Sequence, residues 1–216
     1  LYSSAASDVY KRQELKLNDD YRAQMFRYTN SFKEARFLRA YFYFNLVRAY
    51  GDVPYFTEMV TTDQVNSLTR TPAQEIFNAI IAECDKLSTE LPADYTKLGL
   101  DGIAPAENGR VTCYAALALK ARAALYAASP LFNPENNKDL WRRAAEANKE
   151  VIETCTANGF KLSKYSELWG PNNWSNNEMI FVRRYNGNIS TLEEYNFPMG
   201  AVSYTHLRAH ETGAYL

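Results

Sequence analysis

The chain has 216 residues, 46% of them hydrophobic, and its 24 basic and 25 acidic side chains leave a net charge of −1. A chain of that size and composition can bury a core of its own, but a charge so near zero sets up no field to attract nucleic acid or an anionic membrane surface, so a nucleic-acid partner is disfavoured. No apolar run approaches the roughly 18 to 20 residues that span a bilayer, and the N-terminus lacks a basic start followed by an apolar signal core.

In chain order, the first expected element is a helix from about Phe32 to about Tyr50. Ser31 followed by Glu34 fits a capping box, in which each side chain satisfies an orphan amide of the helix start, and the Gly51 to Pro54 segment cannot continue a helix. Its apolar residues fall on three stripes: Ala35, Leu38, Phe42 and Leu46; then Phe37, Tyr41 and Phe44; then Phe32, Ala40, Tyr43, Val47 and Tyr50. A helix apolar nearly all round is expected to be buried nearly all round. Arg36, Arg39 and Arg48 break the pattern, and a guanidinium in such surroundings needs a carboxylate or carbonyl to offset its desolvation. Arg36 and Arg39 are expected to pair within the helical core.

After an irregular connector over residues 51–70, Thr71-Pro72-Ala73-Gln74 announces a second helix, with Thr71 as N-cap, Pro72 at the first helical position and Gln74 closing the box. Ile76, Phe77, Ile80, Ile81, Cys84, Leu87 and Leu91 form its apolar stripe, and Pro92 lies beyond its end. A second connector, 93–109, leads to a third helix from near Thr112 to about Ala128. This helix carries eight alanines, so neighbours can approach it closely. A fourth begins near Lys138, is expected to bury Trp141, Ala144, Ala145, Val151 and Ile152, and stops at a left-handed cap, Asn158-Gly159. Residues 178–185, rich in branched and aromatic side chains, read as a short strand. Helix starts near 32, 72 and 112 suggest antiparallel helix pairs stacked as in tetratricopeptide-like solenoids, without the strict repeat of about 34 residues. Cys84, Cys113 and Cys155 are odd in number, without short spacing and set among apolar neighbours, which suits buried free thiols better than a disulfide framework or a zinc site.

Four stretches carry a family resemblance, in order along the chain: residues 34–44 running on to Tyr50-Gly51-Asp52-Val53-Pro54; Arg110-Val111-Thr112 with 115–122; residues 125–133; and Asn177-Glu178-Met179-Ile180-Phe181. Together they resemble the SusD/RagB-like proteins, surface nutrient-binding lipoproteins of Bacteroidetes that stand on the outer membrane beside a TonB-dependent transporter. The resemblance runs over about 15 to 200. It implies an all-α fold of tetratricopeptide-like helix pairs, with long connecting loops and the short strand near 178–185. It also implies capture of glycan or another nutrient, a SusC-like transporter as partner, no cofactor, and an N-terminal lipid anchor. The family is much longer than this chain, so 14–200 is expected to be an incomplete part of the helical region. Residues 1–13 and 201–216 fit neither the family nor the helical periodicity and resemble translated adapter read-through. Both histidines, His206 and His210, fall in that tail. Their spacing of four would otherwise suit two metal ligands on one helical face, so no metal site is expected.

Catalysis has little to work with outside that tail. There is no histidine base, no Gly-x-Ser-x-Gly elbow, no phosphate-cradling glycine loop and no paired-cysteine metal site. A glycosidase needs only two acids at roughly 5 to 9.5 Å, but Asp19-Asp20 and Glu193-Glu194 are neighbours in sequence and read as solvated charges. The expectation is therefore a non-catalytic binding protein. Residues 169–177 set Trp169 and Trp174 among amides that include Asn173. An aromatic platform with amides beside it is a means of holding a sugar, by stacking under its C–H face and hydrogen bonding to its hydroxyls. Trp169 also reads as an anchor of the loop. Asp52 and Tyr55, just after the first helix, are weaker candidate contacts, since Asp in a Gly-Asp turn commonly forms the turn itself. The alternative is a tetratricopeptide-type scaffold that binds a protein partner only.

Overall fold

The computed structural model describes residues 19–58, 61–65, 67–95, 109–168 and 176–182. They form six helices: α1 (Asp19–Tyr50), α2 (Thr62–Val65), α3 (Ala73–Glu90), α4 (Cys113–Ala128), α5 (Lys138–Ala157) and α6 (Tyr165–Leu168). Among the described residues the fold is all-α. The four long helices pack in sequence order, α1 on α3, α3 on α4 and α4 on α5.

Each neighbour runs antiparallel to the last, as the cross-links show. Arg36 of α1 bonds Glu83 and Glu90 of α3; Lys120 of α4 bonds Asp85 of α3 and Glu150 of α5. At the other end of the same pair, Gln74 at the start of α3 donates to the carbonyls of Ala127 and Phe132, both at 2.7 Å. This is the helix-pair stack expected from the sequence. Between the layers lie Phe37, Phe44, Val47, Ile76, Phe77, Ile80, Cys84 and Leu87, all essentially inaccessible. Each large apolar side chain so placed contributes about 1.5 to 3 kcal/mol. The alanines of α4 do what small residues allow, since seven of them, at 115, 116, 121, 123, 124, 127 and 128, are buried between α3 and α5.

Five sequence expectations are corrected. α1 does not start at a capping box: it runs unbroken from Asp19, and mid-helix Ser31 donates back to the carbonyl of Arg27. A run of residues with no glycine or proline carries the helix straight through that motif. Nor is α1 buried all round. Phe37, Ala40, Tyr43, Phe44 and Val47 face the core, while Tyr28, Phe32, Phe42, Leu46 and Tyr50 are exposed, because only one flank has a neighbour among the described residues. α3 is not capped by Thr71, whose amide instead bridges to Val53; the cap at Pro72 has no side-chain bond of its own. Residues 178–182 form turn and bend rather than strand, and 183–185 lie outside the described residues. On α5, Ala144 is buried as expected, but Trp141, Ala145 and Ile152 are exposed on the side away from α4.

The joint between α4 and α5 explains the stretch that ends at Asn133. That side chain is buried, donates to the carbonyls of Ala128 and Asn137, and accepts from the Asn137 amide at 2.8 Å. Asn137 in turn caps α5 by accepting from the Asp139 amide, and Gly159 takes the left-handed conformation (φ 88°) just beyond the helix end.

Lys120 holds three helices at once. Burial opposes its charge, but the bonds to Asp85 and Glu150 prevail and raise its pKa above the ordinary 10.5. The contribution to stability is therefore complete below the unfolded-state value and drains away as pH rises through the higher folded value. Replacing it with alanine is expected to cost about 1 to 2 kcal/mol, discounted because both carboxylates are half exposed. Urea unfolding of both proteins in a pH series from neutral into alkali should show the full wild-type advantage at neutral pH and its decline only above the ordinary lysine value of 10.5.

Candidate functional site

Trp169, Asn173 and Trp174 lie outside the described residues. The stem on which their loop stands is described. The Ser163 amide donates to the Glu178 carboxylate and the Glu178 amide to Asn176 Oδ1, both at 2.9 Å. The Ser163 hydroxyl meets the same Asn176 oxygen, and the Lys161 amide reaches the Asn177 carbonyl at 3.3 Å. Asparagine at 176 is thus a turn former whose side chain joins the two arms. Phe160, just before the stem, sets its ring edge on Tyr114 at 4.9 Å and so fixes the stem beside the start of α4.

Asp52 and Tyr55 are at the opposite end. The Asp52 carboxylate accepts the Ala73 amide at 2.7 Å, so it caps α3 from a distance of 21 residues in place of Thr71. Tyr55 is half-buried, its ring 4.7 Å from that of Tyr43; burial raises its hydroxyl pKa against the opposing charge of Arg39. The Tyr43 hydroxyl donates to the Phe56 carbonyl and accepts its amide, both at 3.1 Å, and Arg39 donates to the Thr57 carbonyl. The turn after α1 is therefore stitched to α1 itself. Because the start of α3 meets the end of α4, whereas the stem meets its beginning, the length of α4, about 24 Å, separates the two groups. The fold does not bring Asp52 and Tyr55 together with the stem.

Sequence reasoning passed over a cluster near the stem. Glu34 receives Arg110 side-on, Nε to Oε1 at 2.7 Å and a terminal nitrogen to Oε2 at 2.8 Å, while the Tyr95 hydroxyl stands 3.0 Å from Oε1 and donates to the Val111 carbonyl at 2.7 Å. The Arg110 guanidinium also lies over the Tyr95 ring. Glu34 had an apparent local role at a helix start, which concealed its distant partner.

Two concavities flank residues 179–181. One, about 460 Å³, opens between α1, α4 and α5, with Phe37, Tyr41, Leu125 and Phe181 on its walls and Arg122 and Asn148 as polar positions. The other, about 550 Å³, is walled by Tyr95, Arg110, Tyr114 and Phe160; Thr112, on its lining, has a buried hydroxyl without a hydrogen-bond partner among the described residues. Aromatic faces beside hydrogen-bonding groups suit a polyhydroxylated ligand better than a metal ion, and no cluster of three or more potential metal ligands occurs among the described residues. His206, His210 and Glu193-Glu194 lie outside the described residues.

Antiparallel helix pairs stacked in sequence order define a helical-repeat scaffold. Residues 13–125, more than half of the chain, match the SusD-like family described as starch-binding and associating with the outer membrane, and the chain belongs to that family. It is 25% identical over 149 residues to SusD-like protein P25 of Formosa agariphila, covering 68% of this chain and 24% of that protein. A SusD-like protein from Bacteroides fragilis superposes with a TM-score of 0.56 at 28% identity, over 72% of this chain and 27% of the other. A second structure from that species, described as a SusD-like carbohydrate binding protein, gives 0.55 at 28% identity, over 71% and 26%. The chain thus spans about a quarter of the length of these relatives. No described helix is long and apolar enough to cross a membrane.

Asp52→Ala is expected to cost about 1 kcal/mol of stability through loss of the remote cap, with Asp52→Asn retaining most of it. Urea midpoints of the three proteins decide this.

Proposed function

We propose that the protein represented by this chain binds carbohydrate at the cell surface, without a catalytic step, and delivers it to a SusC-like TonB-dependent transporter in the outer membrane. The observation that carries this reading is membership of a family described as starch-binding and associating with the outer membrane; a similar structure described as carbohydrate binding supports it. The chain's own architecture agrees in kind. Several carboxylates that could otherwise serve chemistry are engaged in holding helices together: Glu34 on Arg110, Glu83 and Glu90 on Arg36, Asp85 and Glu150 on Lys120.

Trp174 is the proposed stacking platform, with Asn173 bonding sugar hydroxyls and Trp169 completing or anchoring the loop. Asp52 and Tyr55 contribute at most a separate contact, since both already serve the turn after α1. The membrane attachment proposed is an N-terminal lipid anchor, which keeps the helical stack outside the bilayer. A second reading, a scaffold that binds protein only, draws on the exposed apolar side of α1, where Tyr28, Phe32, Phe42 and Tyr50 stand open. Such a surface suits protein contact better than sugar contact where no polar group lies beside it.

Calorimetric titration with a panel of plant, algal and host oligosaccharides separates the two. Under the carbohydrate reading one glycan class binds, and Trp174→Ala weakens it at least about tenfold with an unchanged unfolding midpoint, as loss of a stacking ring would. Failure of every glycan, with retained capture of an isolated SusC-like transporter, would instead leave the protein-only scaffold.

A further inference from the structure

The three cysteines are free thiols in this structure, and the register of α4 against α5 bears on two of them. α4 and α5 are antiparallel, and their register is fixed at two points: Lys120 bonds Glu150 at 2.6 Å, and the Asn148 side chain donates to the Ala121 backbone carbonyl at 3.4 Å. Cys113 precedes Lys120 by seven residues and Cys155 follows Asn148 by seven. A step of seven returns a helix to the same face, so both cysteines continue the seam where α4 and α5 meet and stand at the same level along it.

The helices are close there. A side chain as short as asparagine spans from α5 to the backbone of α4, and Ala121, Ala124, Ala144 and Ala147 are all buried. Facing residues on helices with such small contacts approach the Cα separations of roughly 4.4 to 6.8 Å that a disulfide needs. Both ends are also fixed. The Phe160 amide returns to the Cys155 carbonyl at 3.0 Å, its ring rests on Tyr114, and the Cys113 amide is held by the Pro92 carbonyl. Cys155 is buried and Cys113 half-buried, which gives a small oxidant access to Cys113 first.

We propose that Cys113 and Cys155 form a facing dithiol that closes to a disulfide under oxidising conditions, cross-linking the start of α4 to the end of α5, while Cys84 stays reduced. With glutathione disulfide as oxidant the steps balance. The Cys113 thiolate attacks one sulfur of glutathione disulfide, breaking its S–S bond and releasing one glutathione thiolate; the Cys155 thiolate then attacks Cys113 Sγ and expels the second. The two thiol protons end on the two glutathiones, and the two electrons lost by the pair reduce the oxidant. Burial pushes both thiols above the ordinary value, and the charge of Cys113 adds to the rise at Cys155, so closure is slow at neutral pH and faster in mild alkali. Cys84, wholly buried on α3 and pushed up to about 12, is an internal control. The pairing stands whether or not the protein binds carbohydrate.

The test is thiol titration and peptide mapping of the native chain after incubation with glutathione disulfide at about pH 9. The expected result is a fall from three thiols to one, a Cys113–Cys155 linked peptide that dithiothreitol cleaves, and a higher Tm for the oxidised form. Cys113→Ser and Cys155→Ser should each retain their fold by circular dichroism and yield no intramolecular link. Oxidation that stops at a glutathione adduct on Cys113, a link that includes Cys84, or three persistent thiols in the native chain while the urea-unfolded chain oxidises would each overturn the proposal.

Discussion

The constraint on which the assembly depends is the neutralisation of the charges that α1 carries into its packed face. Arg36 and Glu34 stand among apolar residues where an unpaired charge would cost several kcal/mol. α3 answers with Glu83 and Glu90, both within 2.7 Å of the Arg36 guanidinium, and the segment before α4 answers with Arg110. Since the donors and acceptors sit far apart in sequence, satisfying them sets the height of α3 on α1 and the position at which α4 begins. Lys120 repeats the device one layer on. Apolar burial supplies most of the stabilisation, while these pairs select one register among the sliding alternatives that a smooth apolar face would allow.

How far the sequence could be read follows from the range of the interactions involved. α3, α4 and α5 were legible because their stripes, their alanines and their stop signals are local, and observed and expected bounds agree within a residue or two. Capping was misread for the opposite reason. Ser31 and Glu34 have the spacing of a box, but Glu34 is taken by Arg110, and the cap of α3 comes from Asp52, across an intervening connector. Burial around α1 was misjudged because an apolar circumference records how many neighbours a helix can accept, not how many a given stretch of chain supplies. Of the expected contacts, Asp52 and Tyr55 proved to have work in the fold; the indole loop has a well-bonded stem.

Taken together, the chain is a stack of helices that fixes the relative positions of loops at its two ends. Tyr114 and Phe160 beside the stem, the two concavities beside residues 179–181 and the turn after α1 all take their place from the same helix stack. Rigid support of this kind is what a binding surface made of loops requires, since a loop that must be ordered by its ligand spends affinity on that ordering.

α1 is also longer than anything it packs against. Its bonds to α3 set Glu90 beside Lys33 and Arg36, so that α3 ends alongside the residues near position 31 and the first turns of α1 run on for about 18 Å beyond it. Among the described residues the contacts of that overhang include the ring of Phe26 against Tyr95, and the buried amide of Asn30 turns back to its own helix. A single continuous helix is therefore held in two ways among the described residues: its second half is built into the core, and its first half is held by its own backbone bonds and the edge of Tyr95, like a beam clamped along part of its length.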